Sequence, residues 1–448
     1  VFAIPPLIVL VGALLLLPDE PLVSVGAACL AALGATIDLR LRHTRPAAAP
    51  SLPWVLALAS WVLLGIFVKQ RAALATAGPG LALSLAAYGL VAHGAQTLRA
   101  FERVAAALLA ITLALAALAV HQSRAGFGCH RVDDARPGAS VGVYDGRPCA
   151  VVEECRGDAG AHYLCERVGL FGTHSVGGGR VRYAGPLADP SALALALGMG
   201  PPLAFAFASA ERRRRTVWRA LLLAIAVVGI GLAVVATRSR SGQLVFAIAT
   251  GVYVVRRFGV GGVLLGATLA AAMVLAGGRS GEAYAPSYER LESWWVGLSL
   301  AGEAPLLGVG AGQFVDHHAL AAKSAVVQAA AEAGLPGLFL LSMVLWVTAK
   351  TPIALLRSSP LPPPPALRAW AVALLASLGA LVVGMLFSAV AWDPTVWIVV
   401  GLGGALHQVA RRADPNFRLA IGARDLAGVL VVDGALVAAI ALYTRSRT

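Results

Sequence analysis

Apolar runs of close to twenty residues recur along nearly the whole chain, and no other feature restricts its fold as much. A bilayer core about 30 Å thick needs roughly 20 apolar residues of α-helix per crossing. Hydrophobic residues make up 58% of the chain, charged residues 13%, and the mean hydropathy is +0.77. That balance excludes an ordinary soluble domain, and a β-barrel would show short alternating segments instead. The reading is an all-α polytopic transmembrane bundle of about 12 spans with two external loops. The runs lie near 2–17, 21–38, 52–68, 74–95, 104–120, 191–210, 216–236, 243–255, 259–276, 326–349, 369–390 and 395–410. The first lacks a basic leader and a small-residue cleavage site, so it reads as a membrane helix and not as a signal peptide.

The net charge of +13 reflects basic residues in short loops between apolar runs. Such loops face the cytoplasm, which accounts for the charge without nucleic acid. They include 39–45, 98–103, Glu-Arg-Arg-Arg-Arg at 211–215, Arg256–Arg257, the Pro-rich linker 350–368 and Arg411–Arg412. The polar stretches 121–190 and 277–325 and the mouth 237–242 then face outward together. Four of the five cysteines, Cys129, Cys149, Cys155 and Cys165, lie in 121–190. Without a C-x-x-C knuckle they read as two disulfides, with three connectivities open, and not as a metal site. Disulfides place that loop outside the cytoplasm. Cys29, in an apolar run, reads as inert packing. Two features resist this topology. Lys69 and Arg71 fall on the outer side. A thirteenth crossing by the apolar run 426–443 would put Arg445 and Arg447 outside too, so that run is expected along the interface or as a re-entrant segment. The chain thus divides into N-terminal helices (1–120), the Cys-containing loop (121–190), a core (191–349) that includes the loop 277–325, and C-terminal helices (350–448).

The residues suited to chemistry collect on the external side. Arg238 and Arg240, in Thr-Arg-Ser-Arg-Ser-Gly at 237–242, could hold phosphate oxygens bidentately; the plain alternative is arginines snorkelling at a helix end. Arg290 precedes Trp294 and Trp295, which suit an interfacial belt. After the Gly-rich turn 308–312, His317 and His318 are general-base candidates because imidazole titrates near neutrality. Lys323 could pair with an anion, and no metal-binding spacing occurs.

In this order the residues resemble the O-antigen ligase / O-antigen polymerase superfamily of bacterial membrane proteins. T-x-S-R-x-G appears as Thr237, Ser239, Arg240 and Gly242; R-x-x-x-W as Arg290 and Trp294; P-L-L-G-V-G-x-G-x-F as 305–314. The family block H-N-x-x-L-Q-x-x-x-E-x-G-x-x-G aligns on 323–337 through Gln328, Glu332, Gly334 and Gly337. A looser match is R-Y-A-G-P-L-A-D-P-S at 182–191. The resemblance implies a GT-C-like fold and a glycosyltransferase with no metal or cofactor. A glycan would move from a polyprenyl-diphosphate carrier to an acceptor hydroxyl on the periplasmic face of the bacterial inner membrane. Its partners would be that donor, a lipid- or glycan-linked acceptor and the bilayer. Carried over by position, Arg240 and Arg290 hold the diphosphate, with Arg238 and Lys323 beside them and Ser239, Gln328 and Glu332 in support. Where the family has His-Asn, this chain has Lys323-Ser324. Either His318 or His317 supplies the base, or the acceptor differs, or catalysis is lost. The other readings are a polymerase of the same superfamily and a non-enzymatic transporter or complex subunit for lipid-linked glycans.

Overall fold

The computed structural model describes residues 2–17, 21–41, 48–132, 143–155, 157, 162–170, 174–176, 180–183, 187, 189–210, 217–264, 266–268, 285–357 and 363–446. Among these, eight segments are long and apolar enough to cross a membrane by length and composition. The helices that matter below are α1 (Ile4–Leu16), α2 (Pro21–Leu41), α3 (Leu52–Lys69), α4 (Ala73–Gly94), α5 (Leu98–Arg124), α6 (Pro190–Gly198), α7 (Gly200–Ala210), α8 (Val217–Ala236) and α9 (Arg240–Phe258). They are followed by α10 (Ala285–Glu303), α11 (Phe314–His317), α12 (Ala325–Arg357), α13 (Pro365–Met385), α14 (Pro394–Ala413) and α15 (Ala423–Arg445). The basic run 211–215, the end of the expected helix 259–276 and the start of the loop 277–325 lie outside the described residues.

Local sequence explains where several helices begin. Asp-Pro occurs at 189–190 and again at 393–394. The Asp189 carboxylate accepts from Ser191 N–H at 3.3 Å and that of Asp393 from Thr395 N–H at 2.8 Å. Each proline then occupies the first turn, where its missing N–H is no loss. The bundle packs around Trp370, whose ring meets Phe101 at 5.2 Å and Phe207 at 4.9 Å, both edge-on. Small residues allow close helix approach: a Cβ on Gly401 of α14 would stand 2.9 Å from Val91 Cβ of α4. Large apolar residues such as Leu22, Leu222, Leu264 and Val431 point outward, as lipid-facing surfaces require.

Several expectations are corrected. The stretch 121–190 is not simply a loop in an all-α protein. It holds a three-stranded antiparallel sheet ordered β2 (Val143–Pro148), β1 (Phe127–Val132), β3 (His162–Arg167), and a hairpin of β4 (His174–Val176) and β5 (Arg180–Arg182). The strands are too short for their alternation to stand out in the sequence. Disulfides join Cys129 to Cys155 and Cys149 to Cys165, which selects one of the three connectivities. Sulfurs of Cys129, Cys149 and Cys155 lie within 4.8 Å of one another because the bridges stack; bonded as disulfides, they are not thiolate ligands. The run 191–210 is two helices parted at Met199, just before Gly200-Pro201-Pro202. The loop 277–325 contains the 19-residue helix α10. Cys29 is exposed on α2 and not packed inside.

The last run, expected along the interface or as a re-entrant segment, is one 23-residue helix long and apolar enough to cross a membrane. α15 runs antiparallel along α12. Lys350 Nζ meets Asp425 at 2.6 Å, Trp346 Nε1 donates to Asp425 at 2.9 Å, and Ser342 donates to Asp433 at 2.7 Å. Farther along, the Tyr443 and Trp294 rings approach to 6.4 Å. Asp425 and Asp433 of its inner stripe find partners on α12, and the helix brings Tyr443 to Trp294 of α10.

Candidate active site

The site is built around a break in α12. Gly334 has φ +72° and ψ −179°, which interrupts the helix after Ala333. A break exposes backbone groups that a nonpolar interior cannot leave unpaired. Here each finds a partner: Val309 N–H donates to Ala331 O at 2.9 Å, Gly310 N–H to Glu332 O at 3.0 Å, and Leu335 N–H to Pro305 O at 2.8 Å. Trp61 Nε1 donates to Ala333 O at 3.0 Å. The glycine-rich loop 305–313 is therefore stitched to the broken helix along its backbone. Approach this close requires glycine: a Cβ on Gly308 would stand 2.4 Å from the Glu332 carbonyl carbon, and one on Gly334 2.2 Å from Leu306 O.

The Glu332 side chain, 3% exposed, holds the remainder of the loop. Its carboxylate accepts from Phe314 N–H at 3.4 Å, Trp392 Nε1 at 2.6 Å and Gln328 Nε2 at 3.5 Å, and from the Gly312 backbone. Gln328 Oε1 in turn accepts from Ala391 N–H at 3.1 Å. Glu332 and Gln328 thus fix the loop and the segment 386–393 and are not placed for acid–base work. Trp392 was not singled out in the sequence, although the helix-start signal Asp393-Pro394 beside it marks a helix mouth.

At the same end, α8 hands over to α9 through 237–242. Ser239 caps α9, its Oγ accepting from Gly242 N–H at 3.2 Å, and it meets Ser191 Oγ at 3.1 Å and Ser241 Oγ at 3.0 Å. A Cβ on Gly242 would stand 2.1 Å from Ala194 Cβ, so Gly242 is what lets α9 lie against α6. Thr237 and Ser239 are buried, while Arg238 and Arg240 project outward. The blocks 189–191 and 237–242, some fifty residues apart in the chain, share one hydroxyl cluster.

Arg290, on α10, is linked to this cluster through the field of Asp189. Its guanidinium lies 5.6 Å from the Phe387 ring centroid. Burial pushes its pKa below the ordinary arginine value, against the opposing pull of Asp189. Its buried Nε has no hydrogen-bond partner among the described residues. Two residues farther along α10, Glu292 reaches His318: Nε2 stands 3.6 Å from the carboxylate. His318 Nδ1 lies 3.0 Å from Leu320 O and 3.1 Å from Leu320 N. Only one of these bonds can form in a given tautomer. Glu292, which sequence reasoning missed, is the acidic partner. His317 is exposed on the short α11 and belongs to no such pair among the described residues.

The non-glycine residues with positive φ among the described residues are Arg238 (+49°) and Lys323 (+54°). Both are cations singled out from the sequence, and strained backbone of this kind collects at functional sites. Beside Lys323, the Ser324 hydroxyl is buried without a hydrogen-bond partner. No family model matches the chain, and no curated protein does either. The site must therefore be read from its own chemistry.

Proposed function

We propose that the protein is a multi-pass membrane glycosyltransferase that moves a glycan from a polyprenyl-diphosphate carrier to an acceptor hydroxyl, on the periplasmic face of the bacterial inner membrane. The observation that supports this reading is that Arg290 feels the charge of Asp189, two residues from Ser191, whose hydroxyl meets Ser239 beside Arg240. Two guanidinium groups there suit a diphosphate, which gains negative charge as it departs. About 12 crossings, with α10 outside the bilayer, would place this cluster at the membrane surface, where a polyprenyl tail stays in lipid while its diphosphate reaches the cations.

The step is a displacement. The acceptor oxygen bonds to the anomeric carbon, the bond from that carbon to the diphosphate oxygen breaks, and the electron pair leaves with the diphosphate. The acceptor proton goes to His318. With Nδ1–H donated to Leu320 O, the unprotonated Nε2 takes it, and Glu292, 3.6 Å from Nε2, stabilises the imidazolium that forms. Lys323, protonated, contacts phosphate and is not the base. An O-antigen ligase and an O-antigen polymerase share this step and differ in the acceptor.

The test is turnover by purified protein given a polyprenyl-diphosphate glycan and a membrane acceptor fraction. His318→Ala should lower kcat by about 10²–10⁴-fold while leaving donor Kd unchanged. Unaltered kcat would remove His318 from the mechanism.

A further inference from the structure

Arg180 has no part in the reading above, yet it reaches the turn that carries Arg238 and Arg240. α8 ends just before this turn, and the last carbonyls of a helix need partners from beyond its own ladder. Thr237 satisfies two of them: its N–H donates to Ala233 O at 3.2 Å and its Oγ1 to Val234 O at 2.7 Å. The Thr237 carbonyl itself accepts from Arg180 Nε at 3.3 Å. On the other side of the same peptide unit, Arg238 N–H donates to Val235 O at 2.9 Å. The unit joining Thr237 to Arg238 is thus held at both of its polar groups. Next in the chain, Ser239 N–H donates to Thr237 Oγ1 at 3.2 Å. Arg238 sits between these ties with φ +49°, a conformation that arginine rarely adopts unless its surroundings impose it.

Arg180 is anchored from the other direction. It lies in β5, which pairs with β4 and rests against α5 and α6. Val181 is fully buried, and the buried Tyr183 donates its hydroxyl to Leu16 O of α1 at 2.8 Å. Arg182 pairs with Glu166 of β3, the neighbour of the disulfide-bonded Cys165. The disulfide-linked module therefore reaches Thr237 through a strand seated in the bundle.

We infer that Arg180 is a positioning residue for the transfer: its Nε–H fixes the Thr237–Arg238 peptide and, through it, the directions in which Arg238 and Arg240 leave the turn. The inference rests on the transferase reading for what those two guanidinium groups do, whereas the tie to Thr237 belongs to the protein without substrate. An arginine that met the diphosphate itself would need its charge. One that acts through a carbonyl needs only an N–H at the right place. Glutamine carries its amide nitrogen at the same position along the side chain as arginine carries Nε. Methionine places a methyl group there.

The experiment compares wild type, Arg180→Gln and Arg180→Met as full-length protein in phosphatidylcholine nanodiscs. Amide hydrogen exchange is read without substrate, and turnover is read with a polyprenyl-diphosphate glycan and a membrane acceptor fraction. Arg180→Met should speed exchange of the amides across 238–243 at least about tenfold, the effect of losing one charge-assisted hydrogen bond. The amides of α13 should exchange as in wild type. Its kcat should fall about 10–10²-fold, as displaced catalytic groups cause, with donor KM little changed. Arg180→Gln should restore both exchange and kcat. Equal exchange across 238–243 in wild type and Arg180→Met would overturn the inference. So would an Arg180→Gln protein that exchanges like wild type but has lost turnover, because Arg180 would then act by its charge on the substrate. Faster exchange in Arg180→Met, beside a wild type that turns nothing over, would keep the tie to Thr237 and remove its role in transfer. That result is a failure of the transferase reading and not of the tie.

Discussion

Glu332 illustrates how a single side chain can organise a site without acting in it. All four groups pointed at its carboxylate are N–H donors. Glutamine at this position would turn an NH₂ group toward at least one of them, leaving buried donors face to face. Glu332→Gln is therefore expected to lose about 1–3 kcal/mol of stability, seen as a lower melting temperature of the detergent-solubilised protein, with an unchanged melt contradicting the scaffold role. The residue itself was legible in the sequence as part of a block, through its spacing from Gly334 and Gly337. Its partners were not, because Trp392 and the glycine-loop amides come from segments sixty residues downstream and twenty upstream. For the same reason the sequence offered His318 but not Glu292: an ion pair across two elements leaves no local spacing to read. Arg290 was legible by type, whereas its unfilled Nε follows only from what surrounds it in space.

At the scale of elements, apolar period and length marked the helical, membrane-type character of the chain, with eight segments among the described residues long and apolar enough to cross a membrane. The breaks were less visible. Gly334 and Pro336 lie in an otherwise uniform apolar run, and what makes the break stable is the loop 305–313, whose amides replace the lost helical bonds. The disulfide-linked module was half visible: cysteines marked an oxidised segment, while strands of six residues or fewer did not announce a sheet. The module also carries a pH dependence. Glu166, buried beside Arg182 at 2.9 Å, is pushed up from its ordinary 4.5 to about 6 by burial, with Arg182 acting in the opposite sense. Between those values the folded module binds more protons than the unfolded chain, so its stability falls as pH rises through the window and levels off above it. The change is on the order of 2 kcal/mol. Denaturant melts between pH 4.5 and 7 should show that decline, and Glu166→Gln should flatten it. Stability that rises with pH over this window would mean the ion pair with Arg182 outweighs burial.

For the molecule as a whole, the arrangement follows from solvent. Helices that are apolar all round place polar groups only at their ends or along paired seams such as that between α12 and α15. A chain of this kind is left with few places for chemistry. The structure gathers at one end the blocks that the sequence scatters over 182–340, together with the segment 386–393 and Tyr443 from the final helix, neither of which the sequence assigned to the site. Among the exceptions to the expected charge asymmetry, Lys69 sits beside the glycine-rich loop. The central claim, that Arg290 stabilises a departing diphosphate, is tested most directly by measuring free polyprenyl diphosphate released from a polyprenyl-diphosphate glycan by wild type, Arg290→Lys and Arg290→Ala. The account predicts release by wild type, a fall of about 10²–10³-fold in Arg290→Ala, and only partial recovery in Arg290→Lys, whose point charge cannot make the guanidinium fork. Equal release by all three, or none by a wild-type protein that binds the donor, would contradict it.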